Sequence, residues 1–222
     1  MKQLPFEVRH ALVFHGVFFA ITIPIASALR GFELGLALSI FALAYNLALP
    51  MYGRWCVGNL KPSSDWVRLW QFLLPLSLSL PFADWMLVKQ LGTLYFPDHG
   101  IPRIGDAVPV YFSGMWIMLL WPTTWLALHT RRPYLTMAVL SMTGFLVWEW
   151  VAPVMALWEP KNALIWQGIA IYVLIPELLL GLATLLMWQL LRTQQRLTQI
   201  AGGLGLTAFY AGALALSLLW TG

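Results

Sequence analysis

The chain has 222 residues, of which 60% are hydrophobic and only 10% are charged, against roughly a quarter charged in an ordinary soluble domain. This composition, with a mean hydropathy of +0.74, excludes a soluble globular protein and indicates a single polytopic membrane domain over residues 1–222. The net charge of +4 comes from basic residues in short polar segments, which is typical of orientation signals in membranes rather than of nucleic-acid binding. The single cysteine, Cys56, excludes an internal disulfide framework.

Seven apolar stretches follow one another along the chain, each close to the length of about 20 residues that a helix needs to cross roughly 30 Å of hydrocarbon. We therefore predict an all-α polytopic integral membrane bundle of about seven transmembrane helices. The predicted spans are residues 11–29, 34–52, 66–88, 109–128, 134–157, 163–190 and 202–220.

Basic residues are unequally divided between the two sides that these spans define. The side of the N-terminus carries nine, namely Lys2, Arg9, Arg54, Lys61, Arg68, Arg131, Arg132, Arg192 and Arg196. The other side carries four, namely Arg30, Lys89, Arg103 and Lys161. Because cytoplasmic loops are enriched in Lys and Arg, we predict the N-terminus inside and the C-terminus outside. We expect the chain in the bacterial inner (cytoplasmic) membrane.

One connection, residues 92–109 with the sequence GTLYFPDHGIPRIGDAVP, is long and rich in Gly and Pro. Such backbone does not face lipid, but it lies over a bundle where water or protein satisfies its polar groups. We predict an outer loop that caps the bundle, and we consider Tyr95, Asp98 and His99 candidate substrate-binding residues. The alternative is an ordinary solvated loop.

Three acidic residues lie inside segments that are otherwise fit for lipid: Asp84, Glu149 and Glu177. A central charge costs roughly 2.5–3.5 kcal/mol on the insertion scale, so such a residue faces the protein interior and marks a functional site. At a helical rise of about 1.5 Å per residue, Asp84 and Glu149 lie about 24 Å and about 22 Å from the inner surface, and Glu177 lies near the midplane. We predict that all three are catalytic and line one outward cavity. The alternative is that each is paired structurally at a helix–helix contact.

Tryptophans accompany these acids. Candidate substrate-binding residues are Trp85, Trp116, Trp148 and Trp150, and Trp158 falls in the same outer zone. Aromatic faces stabilise cations, and a carboxylic acid in apolar surroundings is able to hold and donate a proton at neutral pH. This combination suits protonation of an alkene in an isoprenoid, after which the carbocation is quenched by ring closure, by water or by loss of a proton. The alternative for any one tryptophan is the interfacial aromatic belt, or packing.

Several other chemistries lack their sequence signatures. The four histidines are scattered, no HExxH zinc helix occurs, and no DDxxD-type motif is present to bind a prenyl diphosphate through magnesium. Gly202, Gly203 and Gly205 indicate a loop and the start of a helix rather than a phosphate-binding loop. We therefore expect no metal, no cofactor and no nucleic-acid partner, and the sequence indicates no particular oligomeric state.

Three stretches between residues 84 and 181 carry a family resemblance: LGTLYFPDHGIPRIGDAVPVYFSGMWIMLLWP, LVWEWVAPVMALWEP and IYVLIPELLLG. They resemble the integral-membrane carotenoid hydratases of the bacterioruberin type. Pro176–Glu177 is also similar to the P-x-E element of membrane lycopene cyclase domains. The resemblance implies a carotenoid- or terpenoid-modifying enzyme in which Glu149 and Glu177 take the acidic roles. Where the hydratases carry a second acid after the first, this chain has Ala152–Pro153.

From these observations we predict an isoprenoid- or carotenoid-modifying membrane enzyme, a proton-initiated cyclase or hydratase whose substrate is a lipid-soluble isoprenoid. The rival hypothesis is a non-enzymatic membrane protein. It is either a small transporter or a subunit that packs pigment or lipid within a larger assembly.

Overall fold

The computed structural model describes residues 5–59, 61 and 64–221, so Lys2 of the basic-residue comparison lies outside the described residues. Over the described residues the chain is all-α apart from three pairs of two-residue strands. Its helices are numbered α1 Phe6–Ala28, α2 Gly31–Gly58, α3 Trp66–Leu91, α4 Phe112–Leu128, α5 Pro133–Val154, α6 Ile171–Leu191 and α7 Arg196–Thr221.

Six of these helices are long and apolar enough to cross a membrane, and α4 is a shorter apolar helix of 17 residues. The prediction of an all-α chain with several helices suited to a membrane is thereby confirmed. Helices α2 and α3 end in π-helical segments, Gly53–Gly58 and Leu87–Leu91. Helix α3 is interrupted at Leu80, next to Pro81, which has no N–H to donate to the preceding turn.

Helix α4 is the central helix of the bundle and packs against α1, α2, α3, α5 and α6. Its three successive residues Thr123, Thr124 and Trp125 are all buried, which shows that protein surrounds every face of the helix. A helix that is apolar all round is typical of such a position. The indole rings of Trp121 and Trp125 stack at 5.0 Å, and the ring of Trp66 on α3 lies 4.4 Å from that of Trp121.

The ion pairs among the described residues all lie at one end of the bundle, which we call the basic end. The buried Glu7 of α1 pairs with Lys61, between α2 and α3, and its carboxylate lies 3.5 Å from His129, after α4. Asp65, before α3, lies 4.0 Å from Arg192, after α6. These contacts bring the start of α1 and three inter-helix connections together, so successive helices run in opposite directions.

Residues 92–111 and 155–170 form a cap at the opposite end. Its strands are β1 Leu94–Tyr95, β2 Arg103–Ile104, β3 Val108–Pro109, β4 Glu159–Pro160, β5 Ile165–Trp166 and β6 Ile169–Ala170. The antiparallel pair β1–β4 joins the two segments, whereas β2–β3 and β5–β6 are hairpins within them. Phe96 is 1% exposed and packs into the helical core.

The second cap segment differs from the predicted spans, because residues 163–170 were expected to be helical and instead form the hairpin β5–β6. The two residues of its turn, Gln167 and Gly168, have φ of 50° and 86°, which is the backbone of a tight two-residue hairpin and not of a helix. Asn162, with φ of 46°, turns the chain just before the hairpin. Helix α6 therefore begins only at Ile171.

The prediction that Gly202, Gly203 and Gly205 form a loop and a helix start is wrong, because α7 already begins at Arg196. Gly202 and Gly203 are buried where α7 contacts its neighbours. A Cβ on Gly202 would lie 2.4 Å from Leu191 of α6, and one on Gly203 would lie 3.2 Å from a backbone nitrogen of α3. The glycines therefore allow three helices to approach closely, as small residues do in membrane bundles.

Candidate functional site

A cavity of about 70 Å³ lies beneath the cap, and one acidic residue from each of three helices lines it. Asp84 comes from α3, Glu149 from α5 and Glu177 from α6. The other lining residues are aliphatic or aromatic: Leu87, Leu94, Phe96, Phe112, Met115, Trp116, Leu119, Phe145, Trp148, Trp158, Pro160, Ala170, Tyr172, Val173 and Tyr210. We call this space the acid cavity.

The helical repeat explains how the acids reach the cavity. Residues three and four positions apart share one face of a helix, and on α5 the cavity is lined by Phe145, Trp148 and Glu149. On α6, Val173 and Glu177 have the same spacing of four residues. The face of each helix that enters the protein core is therefore also the face that carries its acid.

The three acids are almost completely shielded from solvent and lipid, with 5%, 7% and 4% of Asp84, Glu149 and Glu177 exposed. The indole N–H of Trp158 donates a hydrogen bond of 3.1 Å to Oε1 of Glu149. Asp84 Oδ2 and Glu177 Oε2 have no hydrogen-bond partner in the described part of the chain, and neither has the indole nitrogen of Trp116. Unpaired buried polar atoms are costly, so the cavity offers unused hydrogen-bonding capacity to an occupant.

No ion pair of the described residues includes any of the three acids. The cap cations are engaged elsewhere. The guanidinium of Arg103 donates to the backbone oxygens of Ala107 and Phe96, and Lys161 Nζ lies 3.9 Å above the ring of Tyr95. Within the described residues, no group of three His, Cys, Asp or Glu side chains has an arrangement that fits a metal ion. In the part of the chain that the structure describes, the acids thus border the cavity without a counter-charge.

Aromatic rings make up much of the cavity wall. Trp148 and Trp158 stack with 6.1 Å between ring centroids, and Phe112 lies edge-on to Trp158 at 5.6 Å. On the opposite wall, Tyr210 of α7 lies edge-on to Trp116 at 5.6 Å. Because the face of an aromatic ring is electron-rich, such a wall stabilises a cation that lies against it.

Of the four predicted tryptophans, Trp116 and Trp148 line the acid cavity, and Trp85 and Trp150 do not. Trp85 is half-buried and packs beneath the cap, where a Cβ on Gly105 would lie 2.6 Å from its indole nitrogen. Trp150 is 64% exposed on the outer surface of α5 and does not contact the cavity.

The three candidates of the cap also lie outside the cavity wall. Tyr95 is exposed in the β1–β4 pair, and the carboxylate of Asp98 accepts the backbone N–H of Gly100 at 2.8 Å. His99 is buried, with Nε2 at 3.0 Å from the backbone oxygen of Ala156. Burial away from water lowers the pKa of His99. Tyr95 and His99 thus contact the second cap segment, and Asp98 stabilises a turn within the first, so none of the three borders the cavity.

The lining residues that were not predicted include Phe112, Phe145, Tyr172 and Tyr210. A usable signal existed for the tyrosines, because a hydroxyl within an apolar helix needs a partner and therefore faces the protein interior. The hydroxyl of Tyr172 donates to Thr93 of the cap at 3.0 Å. The phenylalanines carry no such signal.

One family model matches residues 81–221, and its description is a domain of unknown function, DUF6989. Every residue that lines the acid cavity falls within this matched range. No curated protein and no solved structure matches the chain.

Proposed function

This chain belongs to the DUF6989 family, and we propose that it is an integral-membrane enzyme that protonates an alkene of a lipid-soluble isoprenoid. The carbocation is then quenched by ring closure or by water, so the protein acts as a cyclase or a hydratase. The reaction requires no metal and no redox cofactor, because a proton starts it and a proton is returned.

The observation that carries this proposal is the acid cavity. Three buried acids face one space with no ion-pair partner among the described residues, and Asp84 and Glu177 each keep a buried oxygen that has no hydrogen bond there. Apolar surroundings disfavour the charged form of a carboxyl group, which leaves a group of this kind able to carry a proton to an alkene. Rings of Trp116, Trp148 and Trp158 border the same space and would stabilise the cation.

We assign the proton donor to Glu149. The bond from Trp158 fixes its Oε1, and Oε2 has no hydrogen bond among the described residues, which leaves that oxygen to carry the proton. The π electrons of the alkene form the new C–H bond, and the adjacent carbon becomes cationic. In cyclisation a second alkene attacks this carbon and the ring cation then loses a proton. In hydration water adds through oxygen and loses a proton. In either case a carboxylate of the cavity takes up the proton released, either Glu149 itself or an ionised Asp84 or Glu177 that passes it on, so that Glu149 is protonated again.

The resemblance to membrane carotenoid hydratases and lycopene cyclase domains favours a carotenoid or a related terpenoid as substrate. The two acids of this chain that match the hydratase motifs, Glu149 and Glu177, both border the acid cavity. Co-expression of the chain with enzymes that supply lycopene or a linear prenylated precursor, followed by mass analysis of the lipid extract, tests the proposal. We expect either addition of one water or an isomer of unchanged mass, and an unaltered precursor profile would contradict it.

We also propose that α4 spans the bilayer as a seventh helix, with the N-terminus inside the bacterial cytoplasmic membrane. Helix α4 is only about 26 Å long at the usual rise per residue, but it is enclosed by protein, which shields its ends. The basic end then faces the cytoplasm, as the excess of Lys and Arg there favours. Reporter fusions after Arg132 and after Lys161 should report the inside and the outside. Fusions that report the same side would contradict the arrangement.

A specific observation favours a second candidate, a small proton-coupled transporter. The buried hydroxyls of Thr124, Ser141 and Thr184 have no hydrogen-bond partner within the described residues. Ser141 and Thr184 lie about 12 Å and about 10 Å along their helices from Glu149 and Glu177, towards the basic end. Such hydroxyls fit buried waters that lead protons to intramembrane acids. Proteoliposomes that dissipate a pH gradient without forming any isoprenoid product would favour this candidate.

A further inference from the structure

A second and larger cavity, of about 390 Å³, lies between α1, α2, α4 and α5. Its walls are apolar apart from the indole nitrogen of Trp148 and the hydroxyl of Thr22, which donates to the backbone oxygen of Phe18 at 2.9 Å. A cavity with so few polar groups fits a hydrocarbon and offers little to a headgroup or an ion. We call it the apolar cavity.

The apolar cavity adjoins the acid cavity, because Met115 of α4 and Trp148 of α5 line both. The side chain of methionine is unbranched and adapts its shape readily, so a small movement of Met115 would connect the two spaces. The two cavities differ in volume, and only the apolar cavity is large enough for most of a ligand. Ligand sites usually measure roughly 300–1,000 Å³, a range that includes the apolar cavity and exceeds the acid cavity several-fold.

The rim of the apolar cavity lies on the lipid-facing surface. Ile23 of α1 and Val147 of α5 both line it and are 57% and 53% exposed. Helices α1 and α5 both pack against α4, so the opening lies in the groove between them. A hydrophobic molecule dissolved in the bilayer would therefore enter from the side, without passing the cap.

We propose that the apolar cavity binds the chain of a linear polyisoprenoid that enters from the bilayer, while the reacting end of the molecule passes Met115 and Trp148 into the acid cavity. This inference rests on the proposed function and adds to it the binding site of the substrate chain. It also gives α1 and α2, which precede the range matched by the family model, a part in substrate binding.

Photolabelling of the full chain in phospholipid nanodiscs tests the inference. The probe is a linear prenyl alcohol with a diazirine on its terminal isoprene unit, and labelled residues are located by peptide mass spectrometry. We expect labels on apolar-cavity residues such as Met118 and Val151. Labels confined to lipid-facing residues such as Leu216, which is 64% exposed on α7, would overturn the inference.

A matched pair of variants on α1 sharpens the test. Ala26 is buried and lines the apolar cavity, whereas Ala28 is exposed to lipid. Ala26→Phe places a ring in the cavity and should reduce labelling by about tenfold, since several buried methylene groups of the probe are excluded. Ala28→Phe should leave it unchanged. Equal labelling of both variants would overturn the inference, as would a diazirine phospholipid that labels the same residues more strongly than the prenyl probe.

The variant Glu149→Gln separates this inference from the proposed function, because it removes the proton but leaves the apolar cavity intact. Labelling should persist in this variant at the wild-type level while product formation is lost. Cavity labelling without any product from the wild-type chain would support the binding site and contradict the enzyme. Product formation without cavity labelling would support the enzyme and contradict the binding site.

Discussion

Replacing Glu149 by Gln tests the assignment of the proton donor with the smallest change of shape. The amide keeps the size of the side chain, and its carbonyl oxygen is able to accept the 3.1 Å hydrogen bond from Trp158. The free energy of unfolding should therefore change by no more than about 1 kcal/mol. The transferable proton is lost, and a general acid contributes roughly 10²–10⁴ to the rate, or about 2.7–5.4 kcal/mol of the barrier.

The assay measures conversion of a linear isoprenoid by purified protein in nanodiscs, together with the thermal unfolding midpoint of each variant. Glu7→Gln is the matched control, because Glu7 is as buried as Glu149, at 6% and 7% exposure, but lies at the basic end. This control loses a partly exposed ion pair with Lys61, so it should lose about 1 kcal/mol or less in stability and keep its turnover. A Glu149→Gln protein that retains half of the wild-type rate would refute the assignment.

Three other predictions concern the wall, the cap and the packing. Trp158→Phe keeps an aromatic ring but removes the hydrogen-bond donor to the carboxyl group of Glu149. Turnover should fall by about fivefold, which corresponds to the loss of one hydrogen bond. An unchanged rate would show that this bond does not position the acid. The pKa of His99 is lowered in the folded chain by burial, so its contribution to cap stability is complete above the unfolded value of about 6.5 and is lost as the pH falls below it. The protection of cap amides, measured as the intrinsic exchange rate at each pH divided by the observed rate, should therefore fall from pH 7.5 to pH 5 in the wild type but not in His99→Asn. Gly181→Ala should lower the unfolding free energy by about 1–3 kcal/mol, because its Cβ would lie 2.0 Å from a hydroxyl of α5. Gly212 has open space around it, so Gly212→Ala should not destabilise the fold. Equal melting temperatures of the two variants would contradict this packing.

The acids were predictable from the sequence because a charge within an apolar segment has few explanations, and Asp84, Glu149 and Glu177 do border one cavity. The aromatic wall was predictable only in part. Successive helical residues point about 100° apart, so the two tryptophans that flank Glu149 point to opposite sides of it and do not both line the same cavity. Trp148 lines the cavity and Trp150 is exposed on the outer surface, a difference that depends on how α5 packs and not on its composition.

The cap shows a second limit of the sequence. Residues 163–170 are as apolar as a membrane helix, and hydrophobicity alone does not separate a helix from a hairpin that lies over a bundle. The informative residues are Gln167–Gly168, but a turn of this kind usually contains Asn or Asp before Gly, and Gln weakened the signal. The pairing of β1 with β4 joins residues more than 60 positions apart and has no local signature.

The central claim is that a proton from the protein starts the reaction, and solvent deuterium tests this directly. The exchangeable proton of a carboxyl group equilibrates with solvent, so purified protein in D₂O should transfer deuterium to carbon. Mass spectrometry of the product, after back-exchange of hydroxyl groups in H₂O, should show one deuterium per molecule, on a carbon of the former alkene. A cyclised or hydrated product without carbon-bound deuterium would contradict the proton-initiated mechanism.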